Sequence, residues 1–360
     1  MPEPRTINAA EALREAMDLA LERWPDVFLM GEGVADPKGI FGTTAGLADK
    51  HGRARVVEMP VSENGLTGVA IGAALMGRRP VLVHQRVDFA LLSIEQLFNS
   101  AAKSHYVTGG RHRVPLVVRM VIGRGWGQGP QHSQSLEAMF AHVPGLKVVM
   151  PSTPREFKGL LLGAIEDDNP VLMLEHRWLH YITGDVPEGF YSTPLDGPRL
   201  AREGQDVTIV ASSYMVFEAL RAAEALAGAG CTAEVFDLRI LRPLALDPIL
   251  ASVQKTGRLI TVDTGWRIGG MGAEIVAEIT ERAFAHLKAP PRRLGLPDHP
   301  TPSSRALAAA YYPGSVDIVD AVEQLLELGQ GAAETARQAC VAARQGVPMD
   351  KPDPAFKGPF

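Results

Sequence analysis

Short, largely apolar runs that each fit one buried strand recur along the chain and alternate with stretches of helical periodicity. Such runs occupy residues 27–30, 80–83, 116–122, 146–150, 171–174, 206–210, 233–238 and 259–263. Helical spacing marks residues 8–24, 94–106, 154–165, 216–227, 272–287 and 317–328. This alternation is typical of parallel sheets covered on both faces by helices. The sequence therefore predicts an α/β fold built from doubly wound parallel sheets.

Length and one change in composition divide the chain. Its 360 residues exceed one average domain. Residues 181–200 are rich in Gly, Pro and Asp and lack periodicity, as connections between domains do. We predict two doubly wound domains, at 1–185 and 205–330, joined by a linker at 186–204. An Ala-rich stretch followed by a Pro-rich one predicts a tail at 331–360, with a peripheral helix and an irregular arm.

The composition argues against several classes of function. With 36 basic and 41 acidic residues and a net charge of −5, the chain lacks the clustered Lys and Arg of a nucleic-acid binder. It has no apolar run of roughly 18 residues to span a membrane and no basic-then-apolar secretory signal. Its two cysteines, Cys231 and Cys340, suit a reducing compartment. We therefore expect a cytoplasmic protein with no nucleic-acid and no membrane partner.

The first segment suited to chemistry contains Glu63. It reads Pro-Val-Ser-Glu-Asn-Gly over residues 60–65 and is followed by Gly68, Gly72 and Gly77. Each Gly in a helix interior costs up to about 1 kcal/mol relative to Ala, so a helix with several of them indicates close approach of another backbone, helix or cofactor. A structural interpretation stays open, in which Glu63 caps the helix and the glycines only allow packing.

The second such segment carries His132. Four glycines and a proline occupy residues 123–130 after an apolar strand, and Gln-His-Ser-Gln-Ser follows at 131–135. Loops beyond the carboxyl ends of parallel strands commonly hold catalytic groups in α/β proteins. A His flanked by small polar residues there suggests proton transfer, although a turn with a surface His is an equal alternative.

Other motifs are weak. The glycines at 265–272 follow a strand and precede a helix, but their spacing is not Gly-x-Gly-x-x-Gly, so we predict a turn that packs helix on sheet. The sequence contains no Walker A loop, no Gly-x-Ser-x-Gly elbow and no metal-binding Cys-x-x-Cys or His-Glu-x-x-His.

Taken together, the motifs resemble the beta subunits of thiamine-diphosphate-dependent 2-oxoacid dehydrogenases of the pyruvate, acetoin and branched-chain type. The matching segments are 31–32 (GE), 60–65 (PVSENG), 96–103 (QLFNSAAK), 131–135 (QHSQS), 144–149 (PGLKVV), 151–154 (PSTP), 175–176 (EH) and 236–239 (FDLR). The similarity covers about residues 5–328. It implies a pyrimidine-binding domain followed by a transketolase-type C-terminal domain.

The resemblance also implies a cofactor site for thiamine diphosphate. Glu63 matches the glutamate that hydrogen-bonds the pyrimidine ring nitrogen, where a proton shared with the ring favours the imino tautomer that acts as base. Phe89 matches the aromatic residue that packs on the pyrimidine, and Gln85 lies at a neighbouring contact position. His132 matches the histidine on the thiazolium side, with a role in proton transfer or positioning as the acyl group passes to a lipoyl arm.

Metal ions and partners follow from the same resemblance. A potassium site, built largely from backbone carbonyls, maps onto Leu116, Ala164, Ile165, Asp167 and Asn169. The magnesium-diphosphate motif Gly-Asp-Gly is absent from the sequence, so an alpha subunit is expected to hold magnesium and supply the other half of each active site. An α2β2 heterotetramer, a lipoyl acyltransferase and a small 2-oxoacid substrate are implied.

Two departures leave alternatives open. Residues 84–89 read His-Gln-Arg-Val-Asp-Phe, where the family usually has an acidic or apolar residue before the aromatic, and Gly129-Pro130 before His132 is closer to transketolase-like beta chains. Arg124, in the same loop, suggests an anionic substrate. One alternative is therefore the C-terminal half of a split transketolase or an acyloin-forming carboligase. Another is a non-catalytic scaffold subunit.

Overall fold

The computed structural model describes residues 5–124, 127–347 and 351, and this part of the chain divides into two compact units. The first unit holds the residues up to Ile122 together with Met139–Leu195. The second holds Gly123–Ala138 and the residues from Asp196 onward. The segment that carries His132 thus belongs to the second unit, although both its flanks in sequence belong to the first.

The first half of the chain alternates strands and helices. The strands are β1 (Arg5–Asn8), β2 (Val27–Gly31), β3 (Val56–Glu58), β4 (Arg79–His84), β5 (Val117–Ile122), β6 (Lys147–Val149), β7 (Val171–His176) and β8 (Thr183–Val186). The helices are α1 (Ala9–Arg23), α2 (Leu47–His51), α3 (Glu63–Leu75), α4 (Val87–Ala90), α5 (Ala102–Val107), α6 (Glu137–Ala141) and α7 (Pro154–Glu166). A π-helix at Gln96–Ala101 precedes α5, where the sequence predicts an unbroken helix over 94–106.

The sheet of the first unit brings the strands together in the order β6-β7-β5-β4-β2-β3, all parallel. Every residue of β5 and β7 is buried, as the apolar runs predict for central strands covered on both faces. Because all these strands run the same way, the residues after β2, β3 and β4 meet at one edge of the sheet.

Helix α1 starts where the sequence predicts it. The Asn8 side chain accepts a hydrogen bond from the Glu11 amide (2.9 Å), and the Glu11 carboxylate accepts one from the Asn8 amide (3.0 Å), which confirms the capping box. The buried face of α1 includes Leu13 and Met17, and the helix packs against α7. Strand β1 pairs antiparallel with β8, which lies in the 181–200 stretch where the sequence shows no periodicity.

The second half of the chain forms another α/β series. Its strands are β9 (Arg199–Arg202), β10 (Val207–Ala211), β11 (Ala233–Asp237), β12 (Ile240–Arg242), β13 (Leu259–Trp266) and β14 (Arg292–Leu296). Its helices are α8 (Tyr214–Gly228), α9 (Asp247–Thr256), α10 (Met271–Ala283), α11 (Arg305–Ala308), α12 (Ser315–Leu326) and α13 (Gln330–Ala343). A sheet in the order β14-β13-β10-β11-β9 forms its centre, parallel except for the edge strand β9.

Both units have the predicted α/β architecture with mainly parallel sheets. The largest fully buried side chains include Trp178 and Phe157 in the first unit and Tyr214 in the second. No helix within the described ranges is long and apolar enough to cross a membrane.

Candidate cofactor edge and catalytic loop

Glu63 begins α3 directly after β3, at the carboxyl edge of the first sheet. Its residue is 6% exposed, and Ser62 rather than Glu63 is the N-cap. Nothing in the described part of the chain donates a hydrogen bond to the Glu63 carboxyl group, while its backbone carbonyl accepts one from the Thr67 hydroxyl (2.7 Å). Glu63 thus lies in the first turn of α3, and its carboxyl group makes no capping hydrogen bond with the described residues.

Two more carboxyl groups share this edge. The Glu58 side chain accepts hydrogen bonds from the amides of Gly33 (2.5 Å) and Ala35 (3.0 Å), which ties the loop after β2 to the end of β3. Burial, the Glu63 charge and the Glu58 charge raise the pKa of Glu32. The edge thus concentrates negative charge around Glu63, an arrangement that favours ligands able to donate a proton or a hydrogen bond.

Gln85 and Phe89 lie after β4, the next strand but one from β3 at the same edge. The Gln85 side-chain amide donates a hydrogen bond to the Glu32 carbonyl (3.3 Å) and lines a cavity of about 480 Å³. The cavity's other walls come from residues 33–42 and Tyr181. Phe89 is 37% exposed. Burial lowers the pKa of the neighbouring His84 to about 4, so its imidazole is neutral at physiological pH.

His132 lies in the segment of the second unit between Gly123 and Ala138, where Gly125 and Trp126 fall outside the described residues. The Gly123 amide donates to the Gln134 carbonyl (2.9 Å) and closes the loop. His132 is half-buried, whereas Ser133 and Ser135 beside it are buried. The loop is thus folded against its own unit, with the imidazole at the border of the buried part.

Glycines at two places let this segment pack closely. A Cβ on Gly129, whose φ is +75°, would lie 2.6 Å from the Ser303 hydroxyl oxygen, and a Cβ on Gly265 would lie 2.8 Å from a Glu137 carboxylate oxygen. The buried Glu137 also accepts a hydrogen bond from the Thr264 hydroxyl (3.0 Å). Gly265 therefore packs against the segment that carries His132, a contact that the sequence does not predict, whereas Gly272 packs α10 on β13 (a Cβ would lie 2.4 Å from the Thr261 hydroxyl oxygen), as the sequence predicts.

Arg124 does not extend into solvent. It is 4% exposed, and its guanidinium lies over the Tyr312 ring (4.1 Å to the centroid) and near the Tyr214 ring (5.2 Å). Burial lowers its pKa. Both aromatic partners belong to the second unit, so this arginine anchors the loop there, and the hypothesis that it recognises an anionic substrate loses its support.

Four of the five residues mapped to potassium lie at the end of α7 and in the turn after it, and Leu116 directly precedes β5. The carbonyls of Ile165 and Asp167 accept hydrogen bonds from Arg79 (2.9 and 3.0 Å), and the Leu116 carbonyl accepts one from the Val171 amide (2.9 Å). Each peptide oxygen keeps a second lone pair that can coordinate a cation. Oxygen donors of this kind suit hard cations, and two of the carbonyls already accept hydrogen bonds from the Arg79 guanidinium. Within the described ranges no cluster of His, Cys, Asp or Glu is arranged to hold a metal ion.

Comparisons with known proteins match both halves of the chain, with the 123–138 segment inside the first match. Residues 5–181 match the family model described as "Transketolase, pyrimidine binding domain", and residues 198–318 match "Transketolase, C-terminal domain". A solved structure titled "Split gene transketolase, inactive beta4 tetramer" superposes with a TM-score of 0.71 at 25% identity, covering 89% of this chain and 99% of that one. The chain is thus of the transketolase-like class, with the predicted pair of domains.

Curated relatives narrow the class further. The acetoin:2,6-dichlorophenolindophenol oxidoreductase subunit beta of Cupriavidus necator is 40% identical over 91% of this chain and 99% of its own length. The pyruvate dehydrogenase E1 component subunit beta of Rickettsia felis is 41% identical over 89% of this chain and 98% of its own. The mitochondrial pyruvate dehydrogenase E1 component subunit beta of Caenorhabditis elegans is 42% identical over 90% of this chain and 93% of its own length. The chain belongs to this family of dehydrogenase E1 beta subunits, which confirms the resemblance inferred from its motifs.

Proposed function

We propose that this chain is the beta subunit of a thiamine-diphosphate-dependent 2-oxoacid dehydrogenase, which decarboxylates a small 2-oxoacid and passes the acyl group to a lipoyl carrier. The observation that carries the proposal is the Glu63 carboxyl group, a buried acid at the start of α3 with no hydrogen-bond donor among the described residues. The names of relatives at about 40% identity support the same reaction.

The residues at the carboxyl edge fit the pyrimidine half of the cofactor. Glu63 would hold a proton at the ring nitrogen, Phe89 would pack on the ring, and Gln85 would contact its polar rim beside the 480 Å³ cavity. When bound, thiamine diphosphate supplies the electron sink for decarboxylation. Glu32 and Glu58 lie close enough to Glu63 that the three charges interact, and this raises the pKa of Glu32 at the same edge.

His132 would move a proton, or orient the acyl acceptor, during transfer to the lipoyl group. Its half-buried position on a glycine-rich loop supports this role, because the residue lies beside buried neighbours and is still partly exposed to solvent.

An alpha subunit is the proposed partner, in an α2β2 heterotetramer, and would hold magnesium and the diphosphate. An apolar surface supports this proposal: Val61, Val69, Met76 and Leu92 are 80%, 58%, 83% and 63% exposed. A Cβ on Gly72 of α3 would have open space around it, so this glycine leaves room for another chain. A lipoyl acyltransferase is the further proposed partner.

Two smaller proposals accompany the main one. We propose a structural potassium ion at the carbonyls of Leu116, Ala164, Ile165 and Asp167 with Asn169, tested by whether the melting temperature rises in potassium over tetramethylammonium at equal ionic strength. We also propose a cytoplasmic location, supported by Cys231 and Cys340, which are buried free thiols.

The test is Glu63→Gln in the chain co-expressed with its alpha subunit. We expect the decarboxylation rate to fall by roughly 10²-fold or more, because the glutamine cannot share a proton with the ring nitrogen. Glu22→Gln, which removes the same charge from an exposed ion pair with Lys50, is the control and should stay within twofold. Full activity of Glu63→Gln contradicts the proposal.

The split-transketolase alternative keeps the same site. It is supported by the Gly129-Pro130 pair before His132 and by the structural neighbour of that title. The dehydrogenase relatives are closer, at about 40% identity against 25%. Turnover with only an aldehyde acceptor, without a lipoyl carrier and an oxidant, would favour the alternative.

A further inference from the structure

The last described helix, α13, lies beyond the residues matched by the transketolase C-terminal model, which end at 318. It packs on α8 and α12, and Arg337 in its middle forms ion pairs with Asp320 and Glu323 of α12. Arg344 follows the helix and is 6% exposed. Its guanidinium donates hydrogen bonds to the carbonyls of Val347 (3.0 Å) and Lys351 (3.1 Å).

The inner side of the Arg344 guanidinium meets a buried carboxylate on α8. Its Nη1 lies 3.5 Å from Oε1 of Glu218, a residue that is 0% exposed. Glu218 also accepts hydrogen bonds from the Tyr214 hydroxyl (2.9 Å) and the Ser315 amide (3.0 Å), with Arg221 at 3.4 Å. Residues from the C-terminal end of α13, from α8 and from the start of α12 therefore contact one carboxylate, that of Glu218.

The same cluster reaches the segment that carries His132. Tyr214, whose hydroxyl donates to Glu218, presents its ring to the buried Arg124 (5.2 Å), and Tyr312 covers the same guanidinium (4.1 Å). Arg124 lies in the Gly123–Ala138 segment. Buried charges are stable only while their partners are in place. A contact series thus runs from Arg344 through Glu218 and Tyr214 to the loop.

We propose that Arg344, delivered by α13, is a positioning residue that fixes the His132 loop through Glu218, Tyr214 and Arg124. The catalytic part of this inference rests on the proposed function of His132. Loss of Arg344 leaves Arg221 as the charged partner of Glu218, so the Glu218 carboxylate shifts toward Arg221 and displaces the Tyr214 ring that supports Arg124. Helix α13, which lies beyond the residues matched by the family models, then helps to hold the catalytic loop in position.

The test compares Arg344→Met with Arg337→Met by hydrogen–deuterium exchange of the full chain. Both variants remove a tail arginine, but among the described residues the ion pairs of Arg337 join it only to α12 and to its own helix. We expect Arg344→Met to speed exchange at least fivefold in peptides covering 127–138, while Arg337→Met speeds it only in α13. Tyr214→Phe keeps the ring and deletes the hydroxyl, and we expect it to speed exchange in the loop as Arg344→Met does. It replaces Arg344→Met in the test if that variant does not fold.

Kinetics of the assembled enzyme complete the test. Arg344→Met should lower kcat severalfold with KM changed less than twofold, because the loop is mispositioned and substrate binding is intact. Unchanged loop exchange in Arg344→Met and Tyr214→Phe, or equal loosening by Arg337→Met, overturns the inference. The exchange readout needs no activity, so loop loosening in a chain that lacks the proposed reaction would count against the proposed function alone.

Discussion

The stability of this chain should depend on pH through Asp263 near the end of β13. This residue is 6% exposed, and its carboxylate accepts a hydrogen bond from the Gly272 amide (2.8 Å). Burial and the nearby Glu137 charge raise its pKa from 3.8 to about 7, against the weaker opposing effects of the Gly272 amide and Arg293. Two buried carboxyls in the second unit therefore compete for ionisation.

The sign and size of the effect follow from linkage. Because the folded pKa lies above the unfolded one, folding favours the protonated acid; this stabilisation is complete below about pH 4 and is lost as pH rises through about 7. The difference between 3.8 and about 7 is about 3 pH units. At 1.36 kcal/mol each it corresponds to roughly 4 kcal/mol, part of which belongs to Glu137 because the pair titrates together.

Asp263→Asn tests this reasoning. Asparagine keeps an oxygen for the Gly272 amide and cannot ionise, so the variant should lose the pH dependence and exceed the wild-type stability at about pH 8 by up to ~4 kcal/mol. Urea unfolding followed by circular dichroism between about pH 4 and 8 measures it, with Asp247→Asn, an 86% exposed side chain, as control. If the free energy of unfolding changes with pH in the same way in the wild type and in Asp263→Asn, the claim that Asp263 titrates near pH 7 is refuted.

Two further predictions concern packing in the first unit. The Glu175 carboxylate pairs with the buried Arg119 (2.6 and 3.0 Å), so Glu175→Gln should cost about 3–5 kcal/mol by leaving that guanidinium without its counter-charge. Thermal unfolding measures it, and a loss under about 1 kcal/mol would contradict it. Gly145→Ala places a Cβ 2.0 Å from the Ala102 carbonyl oxygen at φ +98°. It should lower the melting temperature well below that of Gly52→Ala, whose φ is also positive (+80°) but whose surroundings are open, and equal melting temperatures would count against the clash.

Local signals in the sequence were enough for the fold class and for most central elements. The capping box at Asn8 and Glu11 gives the start of α1, and largely apolar runs give β5 and β7. Strand β8 escaped prediction because its residues, Thr-Gly-Asp-Val, have no strand pattern of their own and become a strand only by pairing with β1. The π-helix at Gln96–Ala101 likewise has no distinctive periodicity.

The candidate site was predictable where a single segment carried it. Glu63, after a strand and before a glycine-rich helix, could be singled out from its neighbours in sequence. Glu58 could not, because its role depends on accepting amide hydrogen bonds from Gly33 and Ala35, 25 and 23 residues away. The loop motif Gly31-Glu32-Gly33 after β2 was a signal in the sequence, since glycine beside an acid at a strand end marks close backbone approach.

In the sequence, the glycines at 123–129 and at 265–272 predict two separate turns. In the structure, both groups allow the segment that carries His132 to pack closely against the rest of the second unit. Glu137 and Ser135 fill the space that a Gly265 side chain would need, and Asp263 fills the space beside Gly270. The Gly123–Ala138 segment follows β5 and belongs to the second unit. Glycines at these positions let its backbone and the carboxyl group of Glu137 approach residues of β13 closely. The position of His132 is therefore set by residues more than a hundred positions away, which explains why its neighbours in sequence left its role undecided.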